Sequence, residues 1–176
     1  MRAESLDLAR IQAGSGTTHV VVGPGPGSPA ETAISRDSLQ ACRGRIPWLG
    51  VCLGHQVLAL AMGARVLPTG SPVHGKRDWI DHDGSGIFSA LPRPFLAARY
   101  HSLAVEEASV PATLRVVARA SSRELLPTIM GCGIPGEATW GVQFHPESFM
   151  TPDGSALLRA FLGGVPCPRS ENPNGN

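Results

Sequence analysis

Apolar and polar positions along the chain follow two periods, and the change between them divides the sequence in two. Thr18-His19-Val20-Val21-Val22 is a β-branched run that stops at the cluster Gly23-Pro24-Gly25-Pro26-Gly27-Ser28-Pro29, the pattern of a buried strand entering a tight loop. Residues 31–44 have helical spacing. Residues 46–51 form a second apolar strand, and residues 53–62 follow directly as an apolar helix. Residues 3–12 predict a short amphipathic helix on Leu6, Leu8 and Ile11. Strand, loop, helix, strand, helix is the order of a parallel α/β sheet.

From residue 64 the segments become short and β-rich, broken by Asp83-Gly84, Leu91-Pro92-Arg93-Pro94 and Val110-Pro111. Strands are expected near 96–100, 103–107, 114–119, 126–130 and 138–144, as antiparallel hairpins added to the sheet. Gly131-Cys132-Gly133 reads as a glycine-rich turn with altered strand pairing. Thr151-Pro152-Asp153 predicts a helix start, with a cap, then proline, then an acid at the positive end. Leu157, Leu158 and Phe161 give that helix its apolar stripe. The expected class is therefore α/β: an open, mostly parallel sheet flanked by helices, with antiparallel strands added. One domain is expected over residues 1–163, with a disordered Pro/Gly/Asn-rich tail over 164–176.

Composition narrows the classes. Of 176 residues, 42% are apolar and 16% charged, with a net charge of +1. That is enough apolar material for one real core, with no basic stripe for nucleic acid. Cys42, Cys52, Cys132 and Cys167 form no C-x-x-C pair, so zinc-knuckle and thioredoxin-type sites are not indicated. No secretory leader follows Met1, and no apolar run approaches the roughly 18 residues of a spanning helix. A cytoplasmic protein with free thiols is expected.

The candidate chemistry begins at Gly50-Val51-Cys52-Leu53-Gly54-His55-Gln56. A strand runs straight into a helix with Cys52 at the corner, and the two glycines remove side chains that would crowd the bend. This is the thiol counterpart of a nucleophile elbow, aimed at the carboxyl end of the sheet where open α/β folds place their sites. Alone, the pattern fits a small core cysteine equally well. Gly141-Val142-Gln143-Phe144-His145-Pro146-Glu147-Ser148 is the second feature. His145 alternates with the apolar pair Val142 and Phe144, and Pro146 ends the ladder. A histidine at that strand end can take a thiol proton and return it to a leaving amine, with Glu147 holding its tautomer. Alone, His-Pro-Glu also fits a structural histidine beside a surface acid. The 23–29 loop can offer backbone N–H groups but lacks the ending of a P-loop.

Together, and in this order, the three segments resemble the class I, triad-type glutamine amidotransferases. Val73-His74-Gly75-Lys76, the run His82-Asp83-Gly84-Ser85-Gly86-Ile87-Phe88, and Arg99-Tyr100-His101-Ser102-Leu103 are similar to the glutaminase subunits of anthranilate and aminodeoxychorismate synthases. The resemblance spans nearly all of residues 17–162. It implies Cys52 as nucleophile, with His145 and Glu147 completing the triad. It implies backbone contacts to glutamine and its oxyanion from Gly25, Pro26, Gly27 and Leu53. Gln56 would bind the amino-acid end of L-glutamine, and Ser102 with Leu103 would hold it through backbone groups. His55, His74 and His101 read as supporting or interface residues. No cofactor and no metal are implied. The implied partner is a chorismate-binding synthase subunit that uses the released ammonia.

The chain departs from that family at its start. The usual first strand and helix, with an Asp-Asn-Tyr-Asp-Ser-Phe-type segment, are expected to be missing, which could leave a strand edge bare. Two other readings therefore stand beside the glutaminase: a catalytically poor, partner-binding homologue, and a γ-glutamyl hydrolase or peptidase with the same triad.

Overall fold

The computed structural model describes residues 16–69, 75–121 and 128–169. The expected helix over 3–12, His74 and the 170–176 portion of the expected tail lie outside them. Three helices are described: α1 (Ala33–Cys42), α2 (Leu53–Ala61) and α3 (Gly154–Leu162). The strands are β1 (Val20–Val22), β2 (Trp48–Val51), β3 (Val66–Pro68), β4 (Lys76–His82), β5 (Phe95–Arg99), β6 (Leu103–Val105), β7 (Arg115–Ala120), β8 (Ile129–Gly133) and β9 (Thr139–Val142).

Seven strands form one sheet in the order β1-β2-β9-β8-β7-β4-β5, and β3 pairs with β6 separately. The expected α/β sheet with antiparallel additions is present, but its balance differs from the expectation of mostly parallel pairing. Only β1–β2 and β2–β9 are parallel, while β9–β8, β8–β7, β7–β4 and β4–β5 are antiparallel. The reason lies in connection length. Parallel neighbours need long crossovers, whereas β4 to β9 are joined mostly by links short enough for antiparallel returns.

Two apolar layers cover the sheet. Leu49, Val51, Ile80, Phe88, Trp140 and Phe144 face α3, whose Leu157 and Phe161 close that side. Val20, Val22 and Trp48 face the other side, with Leu39 of α1 and Leu58 of α2. The period-two alternation of β2 thus sends Trp48 one way and Leu49 the other.

Several local expectations change. Cys132 lies in β8 rather than in a turn, fully buried. The altered pairing beside it is real: the β7–β8 register shifts on either side of Ala118, which faces Gly131. A Cβ on Gly131 would sit 2.5 Å from the Phe88 ring, so close packing requires glycine there. Helix α3 begins at Gly154, later than the proline pattern predicts, and Asp153 at its start makes no side-chain cap. The tail is ordered as far as it is described. Trp140 donates its indole N–H to the Val165 carbonyl at 2.9 Å, and Cys167 is buried beside Pro135. Packing against the sheet outweighs the loop-like composition of residues 164–169.

Candidate active site

Strand β2 ends at Val51 and α2 begins at Leu53, so Cys52 must turn the chain alone. It does so at φ 53°, the one positive-φ residue other than glycine among those described. An L-residue in that region is strained, and such positions persist only where surrounding structure holds them. Here the Cys52 amide donates to the Val142 carbonyl at 2.8 Å, and the Cys52 carbonyl accepts from the Gln56 amide. The flanking glycines are obligatory. A Cβ on Gly50 would fall 2.3 Å from the Gly54 carbonyl carbon, and one on Gly54 would fall 2.4 Å from the Val22 oxygen. The elbow is therefore wedged against the end of β1, and Cys52 is only partly buried.

The candidate base, His145, arrives from the next strand. Beyond β9, the His145 amide donates to the carbonyl of Ala98, on the opposite edge strand β5, at 3.2 Å. The Thr151 hydroxyl completes the clamp. It donates to the His145 carbonyl at 2.7 Å and accepts from the Ala98 amide at 3.0 Å. Tyr100 lies edge-on to the imidazole, with ring centroids 4.9 Å apart.

Nδ1 of His145 is bonded to the Glu147 carboxylate at 2.6 Å. Nε2 is buried, bonds to no nitrogen or oxygen of the protein, and is the ring nitrogen left for the Cys52 sulfur. Burial works against charging this ring, but the nearby Cys52 sulfur and the Glu147 carboxylate outweigh it and push the pKa up to about 9. Burial likewise works against the Glu147 carboxylate, yet its bond to His145 leaves the carboxyl below its ordinary range. An imidazole held through Nδ1 by an acid, with Nε2 left for the sulfur, is the arrangement of a general base beside a nucleophile.

The rest of the predicted site surrounds this pair. Gly25 of the 23–29 loop approaches Leu53 so closely that an added Cβ would sit 3.1 Å from its side chain. Gly27 has φ +95°, and Ser28 with Glu31 forms a capping box that fixes the end of the loop. The Leu53 amide is the first of α2, so it has no acceptor within its helix. Gln56 is buried, and its amide nitrogen donates to the Leu103 carbonyl at 3.2 Å.

The Ser102 carbonyl accepts from the amide and hydroxyl of Thr69. Leu103 faces Pro68 across β3–β6, between the hydrogen-bonded pairs that include Thr69–Ser102 and Arg65–Glu106. Its N–H and C=O consequently both point away from β3, towards Gln56. Gly25 thus lies against Leu53, Gln56 shares a hydrogen bond with Leu103, and Ser102 beside it is bonded to Thr69.

Known proteins match the chain as follows. The family model "Glutamine amidotransferase class-I" matches residues 2–164. The chain belongs to the class-I glutamine amidotransferase family. It is 44% identical to aminodeoxychorismate synthase component 2 of Escherichia coli K12, over 92% of this chain and 83% of that one. It is 46% identical to anthranilate synthase component 2 of Thermus thermophilus, over 81% of this chain and 69% of that one. The bifunctional protein TrpGD of Thermotoga maritima is 46% identical over 82% of this chain, which spans only 24% of that longer protein. A solved structure from Thermoplasma acidophilum, assigned to a GMP synthase, superposes with a TM-score of 0.76. It shares 22% identity and covers 90% of this chain and 76% of that one, a likeness of fold.

Two residues of this candidate site escape the sequence reading. Thr151, expected as a helix cap, instead ties β5 to the base. Gln143, which reads as an ordinary polar residue of an alternating strand, is fully buried with its amide nitrogen 3.5 Å from the Cys52 sulfur. A buried glutamine two residues before the base is the available signal, because buried amides need partners.

Proposed function

We propose that this chain hydrolyses L-glutamine to glutamate and ammonia, and passes the ammonia to a chorismate-binding synthase subunit. The observation that carries the reading is the elbow cysteine beside a histidine whose far nitrogen is held by Glu147. Glutamine would lie with its side-chain amide over Cys52. Both amide hydrogens of Gln56 are engaged by Leu103 and Gln143, so its oxygen remains to accept from the substrate ammonium. The Leu103 carbonyl already takes two donors, from His101 and Gln56, so the N–H of that residue is the group left for the substrate carboxylate.

The Cys52 sulfur, its proton already held by His145, attacks the amide carbon. The oxyanion is held by the Leu53 amide and the Gly25–Gly27 loop, each donor supplying roughly 3–4 kcal/mol by analogy with serine enzymes. Collapse expels ammonia, which receives the proton from His145 and leaves a glutamyl thioester on Cys52. Water, deprotonated by His145, then releases glutamate.

Kinship with component 2 of anthranilate and aminodeoxychorismate synthases favours a chorismate-aminating partner. The test is ammonia release from glutamine by the purified chain, with and without such synthase subunits, beside Cys52→Ser. Turnover that requires Cys52 and rises with a synthase supports the reading. Turnover kept by Cys52→Ser, or folded chain inert with every synthase, overturns it.

A further inference from the structure

A line of hydrogen bonds runs through the buried side of the site and ends on the nucleophile. Arg99, buried and paired with Asp78, donates from Nε to His101 Nε2 at 3.2 Å. His101 donates from Nδ1 to the Leu103 carbonyl at 2.9 Å. That carbonyl also accepts from Gln56 Nε2, which donates in addition to Gln143 Oε1 at 3.1 Å. Gln143 in turn points its own Nε2 at the Cys52 sulfur at 3.5 Å. The direction of every bond is forced. A guanidinium can only donate and a carbonyl can only accept, so His101 is the Nδ1–H tautomer and each glutamine amide has one possible orientation. Gln143 cannot turn away, because its backbone amide is bound to the Met130 carbonyl and its side chain is fully buried.

We propose that Gln143 is a positioning residue that locks the Cys52 sulfur to Gln56 and Leu103, so that the nucleophile and the glutamine-binding groups move as one unit. Its hydrogens orient the sulfur and its oxygen orients Gln56. Removing it leaves the triad intact but lets the two halves of the site drift, and small misplacements of reacting groups are costly in rate. The inference rests on the glutaminase reading.

Two alkylating reagents separate its failure from that of the reading: iodoacetamide, which needs only the sulfur, and a glutamine-shaped diazoketone, which needs sulfur and binding groups in register. In the wild-type chain the diazoketone labels Cys52 with saturation and glutamine protects it. In Gln143→Met its labelling falls tenfold or more relative to iodoacetamide, with thermal unfolding still cooperative. Gln143→Glu, which keeps the oxygen facing Gln56, recovers part of the loss. Should the single variant not fold, the double variant Gln56→Met/Gln143→Met removes both partners together, which buried sites tolerate better. Its loss should be no greater than that of Gln56→Met alone, since linked residues are not additive. A diazoketone-to-iodoacetamide ratio unchanged in Gln143→Met, or strictly additive losses in the double variant, overturns the inference alone. Wild-type chain with no preference for the diazoketone overturns the glutaminase reading and the inference with it.

Discussion

His145 is held by Ala98, a residue from the opposite edge of the sheet. Their backbone bond of 3.2 Å closes the curl of a seven-stranded sheet, and the Thr151 hydroxyl bonds to both. His145 is thus placed by backbone groups rather than by its own side chain, and Thr151 should matter more than a surface threonine would. Thr151→Val keeps the shape and strands the buried Ala98 amide, while the His145 carbonyl keeps the Ser148 N–H at 3.2 Å. The expected cost is about 1–3 kcal/mol in denaturant unfolding, the penalty of one orphaned buried group. Glutaminase turnover should fall as well. A variant within about 0.5 kcal/mol of wild type, the usual range of surface changes, would show that the clamp is dispensable.

The proton affinity of His145 reports its two neighbours. Its pKa of about 9 exists because the Cys52 sulfur and Glu147 together outweigh burial. Cys52→Ala should move the imidazole midpoint, followed by NMR, down towards the ordinary range near 6.5. Glu147→Gln should move it the same way. The sign for stability follows from a folded pKa above the unfolded one: the contribution is full below about 6.5 and is lost as pH rises through about 9. A midpoint unchanged in Cys52→Ala would mean that sulfur and ring do not interact.

His55 and His101 behave in the opposite way. Burial, assisted for His101 by the Arg99 guanidinium, lowers both to about 4. The unfolded chain binds these protons near pH 6.5 and the folded chain does not, so stability falls as pH drops from about 6.5 to about 4. A shift of this size corresponds to on the order of 3 kcal/mol for the fully buried His55. Urea unfolding at pH 7 and pH 5 should show the loss, and His55→Gln should flatten the slope. Equal slopes in the two proteins would mean that His55 is not the source.

The sequence displays the elbow and the base because each is a local pattern, with a strand end, a breaker and a reactive side chain within a few residues. Cys52, Leu53 and Glu147 fall where that pattern puts them. Thr151 and Gln143 are not legible in the same way, because their roles depend on which distant groups the curled sheet delivers, Ala98 for one and Gln56 for the other. The balance of parallel and antiparallel pairing is hidden for a related reason. Short apolar strands state their burial but not the direction of their neighbours. Residues 164–169 read as a disordered tail by composition, yet Trp140 supplies a donor at Val165 and a sheet surface for Cys167 to cover.

Gly50 offers a test of the elbow that leaves every reactive group in place. A methyl there would lie 2.3 Å from the Gly54 carbonyl carbon and 2.7 Å from the His55 amide, both backbone atoms that cannot swing aside. Helix α2 must then move away from β2, and Cys52 would lose the constraint that keeps it at φ 53°. Gly50→Ala should therefore cost about 3 kcal/mol or more, as overpacking against backbone does. Any folded fraction should release ammonia at under about a tenth of the wild-type rate, a loss equivalent to about 1.4 kcal/mol of transition-state stabilisation. Gly63→Ala is the contrasting control: its φ of +97° strains a side chain, as the backbone at Gly50 does not, but the added Cβ meets nothing within 4 Å. It should lose modest stability and keep its turnover. If Gly50→Ala loses no more stability or turnover than Gly63→Ala, the close approach of α2 to β2 is not what holds Cys52.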